Sequence, residues 1–85
     1  MKQEIEVKVK LFAIYQEALE KSELNLVLRQ PATASKVLET IIEQRPYLKE
    51  WQDVTRFGVN LQFVSADTML QDGDEVVLIP PVSGG

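Results

Sequence analysis

The chain has 85 residues, 45% hydrophobic and 26% charged, with a net charge of −4, which suits one soluble globular domain and is too short for two. An acidic balance argues against a nucleic-acid partner, and no apolar run approaches the roughly 20 residues of a membrane span or a signal-peptide core, so a cytoplasmic protein without membrane contact is expected. With no Cys and no His, disulfides, thiolate nucleophiles, the usual zinc sites and the commonest general base are excluded, and self-contained catalysis is not expected.

Residues 5–13 (IEVKVKLFA) alternate strictly. Ile5, Val7, Val9, Leu11 and Ala13 share one face, and Glu4, Glu6, Lys8, Lys10 and Phe12 share the other, the pattern of a half-buried strand. Phe12 is the exception on its polar face. It is either an ordinary exposed aromatic near a strand end or a docking residue, the second if its neighbours on that face are also apolar. Residues 15–21 (YQEALEK) have helix-forming composition over one to two turns. Residues 22–29 (SELNLVLR) alternate again with Leu24, Leu26 and Leu28 inward, an antiparallel partner for the first strand that stops at Pro31.

Residues 33–45 make the one substantial helix. Ala34, Val37, Leu38, Ile41 and Ile42 fall on a single stripe that faces a sheet, Thr33 stands at the N-cap position and Pro46 stops the helix after Arg45. Residues 47–53 read as a loop or short helical turn, with Trp51 closing one end of the sheet. A third strand over 56–60 and a short fourth over 63–65 flank a turn at Asn60, which tolerates the left-handed conformation that tight turns need.

Asp72-Gly73-Asp74 is a turn signal. A calcium loop fails on spacing, because further oxygen ligands and a Glu at position twelve are missing, and no metal site is expected. The last strand, residues 75–79 (EVVLI), is apolar throughout its last four positions and is expected to be central and covered on both faces. The order β-(short α)-β-α-β-β-β resembles a ubiquitin-like β-grasp, an α+β fold in which a mixed sheet of about five strands wraps one main helix.

After the last strand come Pro80, Pro81, Val82, Ser83, Gly84 and Gly85. The two prolines remove two N–H donors and hold φ near about −65°, so strand pairing cannot pass Ile79. Residues 1–79 are expected to form the domain and residues 80–85 an extended tail, spanning roughly 20 Å at about 3.3 Å per residue. Chance alone gives a terminal Gly-Gly in about 0.5% of chains, so that pair is weak evidence taken singly. The strand and Pro-Pro stop before it are what make the tail look like a presenting arm, and its carboxyl group is the expected site of chemistry.

The chain resembles the small subunit of molybdopterin synthase, the sulfur carrier of molybdenum cofactor synthesis. The resemblance rests on Leu11-Phe12-Ala13, Val59-Asn60 followed by Val64, Leu70 with residues 72–76 (DGDEV), and residues 80–85 (PPVSGG); residues 43–55 match no motif. It implies that an E1-like adenylyltransferase spends ATP to adenylate Gly85, that a sulfur donor enzyme displaces AMP to leave a thiocarboxylate, and that the arm then enters the large synthase subunit. There the sulfur attacks a cyclic pterin precursor. By this resemblance the chain is a non-catalytic sulfur-donor subunit with no stably bound cofactor, assembled as two copies of each subunit. Phe12, Phe63 and Ile79 are the docking residues it implies, Phe63 and Ile79 having core as their alternative. A thiamin-pathway sulfur carrier and a ubiquitin-like modifier joined to target proteins through Gly85 share the fold and tail and stand as alternatives.

Overall fold

The computed structural model describes residues 3–81. Strand β1 (Glu4–Leu11) pairs antiparallel with β2 (Glu23–Arg29) and parallel with β5 (Glu75–Ile79). Strand β3 (Arg56–Val59) pairs antiparallel with β5 on its other side and with β4 (Gln62–Val64), giving the sheet order β2-β1-β5-β3-β4. Helix α1 (Ile14–Leu19) links β1 to β2; helix α2 (Ala34–Gln44) and a run of 3₁₀ turns (Pro46–Val54) lie between β2 and β3. This is the ubiquitin-like β-grasp expected from the element order.

The period-two pattern of β1 is realised residue by residue: Ile5, Val7, Val9 and Leu11 are buried while Glu4, Glu6 and Lys8 are exposed. The α2 stripe meets them with Ala34, Val37, Leu38 and Ile41 buried and Ile42 half-buried at its margin. Val76 and Leu78 of β5, Phe57 of β3 and Leu28 of β2 complete the core with Tyr15, Leu48 and Leu70. Each large apolar side chain so buried stabilises the fold by about 1.5–3 kcal/mol.

Several expectations need correction. Strand β1 ends at Leu11, one residue before Phe12, because Ala13 takes a positive φ of 51° and turns the chain into α1. Strand β5 is central, but only its inner face is covered: Val76 and Leu78 are buried, Val77 and Ile79 half-buried. Thr33 occupies the N-cap position of α2 without a side-chain cap; its hydroxyl meets that of Ser35 at 2.9 Å instead. The first helical N–H groups go to the loop after β4, Ala34 to the Thr68 carbonyl and Ser35 to that of Ala66, both at 2.9 Å. Trp51 is only half-buried against the core, and Leu48 is the fully buried residue of the same run of turns.

Candidate functional site at the root of the C-terminal arm

The last sheet pair on β5 is Ile79 opposite Arg56. Pro80 and Pro81 follow without N–H donors, so the sheet has nothing further to hold and the chain leaves it. Pro80 is itself buried and Pro81 exposed; the body of the fold therefore extends one residue beyond Ile79. Val82, Ser83, Gly84 and Gly85, where the expected chemistry falls, lie outside the described residues. Beside the exit runs a groove of about 660 Å³ lined by residues 53–56 and 79–81.

Thr55, at the floor of this groove, is the buried polar residue of the described chain. Its hydroxyl donates to the Trp51 carbonyl at 2.7 Å. That uses its single proton, so the Tyr15 hydroxyl must donate to Thr55 Oγ1. Burial pushes the Tyr15 phenol above its ordinary value. The phenol stays neutral and donating, tying α1 to the segment that leads into β3 directly under the arm's root.

The outer face of the sheet, away from α2, divides into two halves. On β1 and β2 it is mainly charged, with Val27 its exposed apolar member: Lys8 and Lys10 both approach Glu23, each at 3.8 Å. On β5, β3 and β4 it is apolar around Gly58, with Arg56 opposite Ile79 and Glu75 at the start of β5 as its charged members. Gly58 pairs with Val77 on one side and Phe63 on the other, and a side chain there would meet Val77 at 3.7 Å and Ile79 at 4.0 Å. Glycine thus leaves a shallow floor between Val77, Ile79 and Phe63. Phe63 is 77% exposed.

Phe63 and Ile79, for which core was the alternative, are both outer-face residues brought together around Gly58. Phe12 is half exposed and follows directly on the Leu11–Leu78 pair, which puts it next to Ile79 in register at the arm's end of the sheet, though outside β1. Its carbonyl accepts the Tyr15 N–H at 3.1 Å. Gly58 is not picked out by the sequence reading, although a lone glycine inside a strand pattern is a signal in its own right.

Asp72 and Asp74 do make a turn. Gly73 takes a φ of 88°, its N–H donates to the Glu6 carbonyl, and the Glu6 N–H donates back to Asp72 Oδ1, each at 2.8 Å. Asp74 accepts from the Gln71 N–H at 2.7 Å and from Asn60 Nδ2 at 2.9 Å. The carboxylates are thus occupied by backbone and amide donors, and among the described residues no three acidic side chains gather into a metal-holding group. Nor is any described helix long and apolar enough to cross a membrane.

Known proteins place the chain in a family. Curated relatives named molybdopterin synthase sulfur carrier subunit are 31% identical in Arabidopsis thaliana, over 95% of this chain and 84% of that one, and 34% identical in Chlamydomonas reinhardtii, over 95% and 100%. Among solved structures, subunit 1 or 2 in the protein–protein complex of molybdopterin-converting factor from Helicobacter pylori is 32% identical, covers 95% of this chain and all of its own, and superposes with a TM-score of 0.58. Small archaeal modifier protein 1 from Methanosarcina acetivorans is 29% identical over 99% of this chain and all of its own, with a TM-score of 0.77. The ThiS family model matches residues 9–85, nearly the whole chain, and the chain belongs to that family.

Proposed function

We propose that this chain is the sulfur-carrier subunit of a molybdopterin synthase and that the carboxyl group of Gly85 is its reacting group. The observation that carries the reading is the extent of the family match, which runs through to residue 85 and so includes the arm as well as the fold. The names of the two plant and algal relatives favour molybdenum cofactor synthesis over a thiamin-pathway carrier.

The chemistry follows from the residues available. With no Cys or His, the chain has no thiolate or imidazole of its own, and an α-carboxylate, ionised above about pH 3.5, is a poor electrophile. An E1-like enzyme joins it to AMP with loss of pyrophosphate. The outer sulfur of a persulfide on the donor enzyme then attacks the Gly85 carbonyl carbon as the C–O bond to AMP breaks, and a dithiol reductant cleaves the S–S bond of the resulting acyl disulfide, returning the donor's thiol and freeing the thiocarboxylate. The resulting thiocarboxylate is the nucleophile that the arm carries into the large subunit. Gly84 and Gly85 let the arm enter a narrow channel, and the apolar half of the outer face, with Phe63 and Ile79 around Gly58 and Phe12 at its edge, docks the body against that subunit. Permanent interfaces are apolar in this way.

Intact mass spectrometry of protein with an untagged C-terminus tests the reading. A thiocarboxylate adds about 16 Da, the same as methionine oxidation, so fragmentation must assign the shift to Gly85 and away from Met1 and Met69. Deleting Gly85 shortens the reach by about 3.3 Å and should abolish sulfur transfer with folding intact; activity that survives the deletion sinks the proposal.

A second reading is supported by the likeness to small archaeal modifier protein 1: the same activated carboxyl group passing to a lysine amine, with an isopeptide bond in place of the thiocarboxylate. Higher-mass conjugates on an immunoblot, lost when Gly85 is deleted, would favour it.

A further inference from the structure

The β3–β4 hairpin turns on two residues of positive φ, Asn60 at 50° and Leu61 at 71°. Asparagine is at home there and is well used. Its N–H donates to the Glu75 carbonyl at 2.9 Å, its Oδ1 accepts the Glu75 N–H at 3.0 Å, and its Nδ2 reaches Asp74. Leu61 has no such compensation. It is 91% exposed, so it adds almost nothing to the core, and a leucine in the left-handed region is strained by its Cβ. A polar residue would suit the solvent and a glycine would suit the backbone, Asn-Gly being the favoured pair for such a turn. Folding therefore gives no reason for leucine at this position.

Its location gives one. Leu61 stands two residues before Phe63, at the tip of the hairpin that carries the apolar half of the outer face. The three Asn60 bonds to the start of β5 and to Asp74 hold that tip in place, so little ordering remains to be lost when it is covered. We propose that Leu61 is an anchor for the large synthase subunit, seated in an apolar pocket of that partner beyond the rim of the Phe63 and Ile79 patch. The inference rests on the docking reading above and extends the contact from the face of the sheet to the hairpin tip.

Two substitutions compatible with positive φ separate binding from folding. Leu61→Gly and Leu61→Asn should each show a Tm at least equal to that of the unaltered chain. Both should bind the purified large subunit at least about fivefold more weakly in calorimetric titration, the scale of loss seen when a contributing side chain is truncated. Unchanged affinity in either variant, or a lowered Tm in both, would overturn the proposal. Phe63→Asp is measured beside them. If it weakens binding while the Leu61 variants do not, only the role of Leu61 falls; if none of the three weakens binding, the docking reading falls as well. Self-association of the unaltered chain that Leu61→Gly abolishes, with affinity for the large subunit intact, would identify a second copy as the occupant and likewise overturn it.

Discussion

Strand β5 begins and ends in opposite ways. At its start the Asp72-Gly73-Asp74 turn is pinned to β1 through Glu6 and Lys8 and to the β3–β4 hairpin through Asn60, with both carboxylates accepting donors. At its exit Ile79 makes the last pair, and the two prolines that follow offer no N–H at all. One end is fastened by hydrogen bonds; the other is defined by their removal. An arm proposed to react at its end needs both. A strand fixed at its origin and buried along its inner face has one direction in which to leave the sheet, and the prolines keep the chain from pairing once it has left. Hydrogen bonds are concentrated at the start of β5, where they also hold the hairpin tip that carries Leu61; Ile79 and the arm lie at its exit.

That contrast can be broken from either end. The largest effect is expected at the exit: Ile79→Asp should weaken binding to the large subunit by about 30-fold or more, while the isolated chain loses only about 1 kcal/mol, because the side chain lies on the open face. Calorimetric titration and urea unfolding on the same preparation measure the two, and a stability loss that outweighs the binding loss would erase the distinction. At the start of the strand, Asp72→Ala removes the acceptor of the Glu6 N–H. It should cost about 1.5 kcal/mol in urea unfolding and leave binding within twofold.

Beneath the exit, Tyr15→Phe deletes the donor to Thr55 and should cost about 1 kcal/mol. The pH dependence sharpens this. Burial raises the Tyr15 phenol in the folded chain, so the folded state holds that proton more tightly than the unfolded one. The contribution is complete below the unfolded value of about 10 and is lost as pH rises through the folded value. Unfolding at pH 8 and pH 11 should show a larger alkaline loss for the parent than for Tyr15→Phe; equal losses would count against it. The smallest effect belongs to the charged half of the outer face. Lys10→Ala should change stability by less than about 0.5 kcal/mol, since its pair with Glu23 is half exposed at 3.8 Å. A loss of binding comparable to that of Ile79→Asp would show that the partner covers the charged half too.

Much of the scaffold was legible because it repeats a local period. Alternation in β1 and β2, the stripe on α2, the turn at Gly73 and the stop at Pro80 each depend on a few adjacent residues, and the structure has all of them. The candidate site was legible in part. Phe63 and Ile79 could be nominated, but whether they were core or surface was undecidable, because a strand of consecutive apolar residues reads alike whether its second face is covered by its own chain or left open. Leu48 and Tyr15 gave no periodic signal and were missed as core; their burial comes from one turn of 3₁₀ helix and one turn of α1 closing over the sheet.

The sequence by itself determined the element order, the inward face of each long strand, the point where pairing must stop and, through the absence of Cys and His, that sulfur chemistry on this chain has to use something other than a side-chain thiol or imidazole. Those are consequences of local backbone preference and of composition. Only the tertiary structure decided that one face of β5 stays open, that Gly58 makes a floor between Val77, Ile79 and Phe63, that Pro80 belongs to the body of the fold, and that Asn60 locks an exposed, strained Leu61 at the hairpin tip. Each of these depends on which strand lies beside which, and strand order is a property of long-range pairing that no local pattern contains.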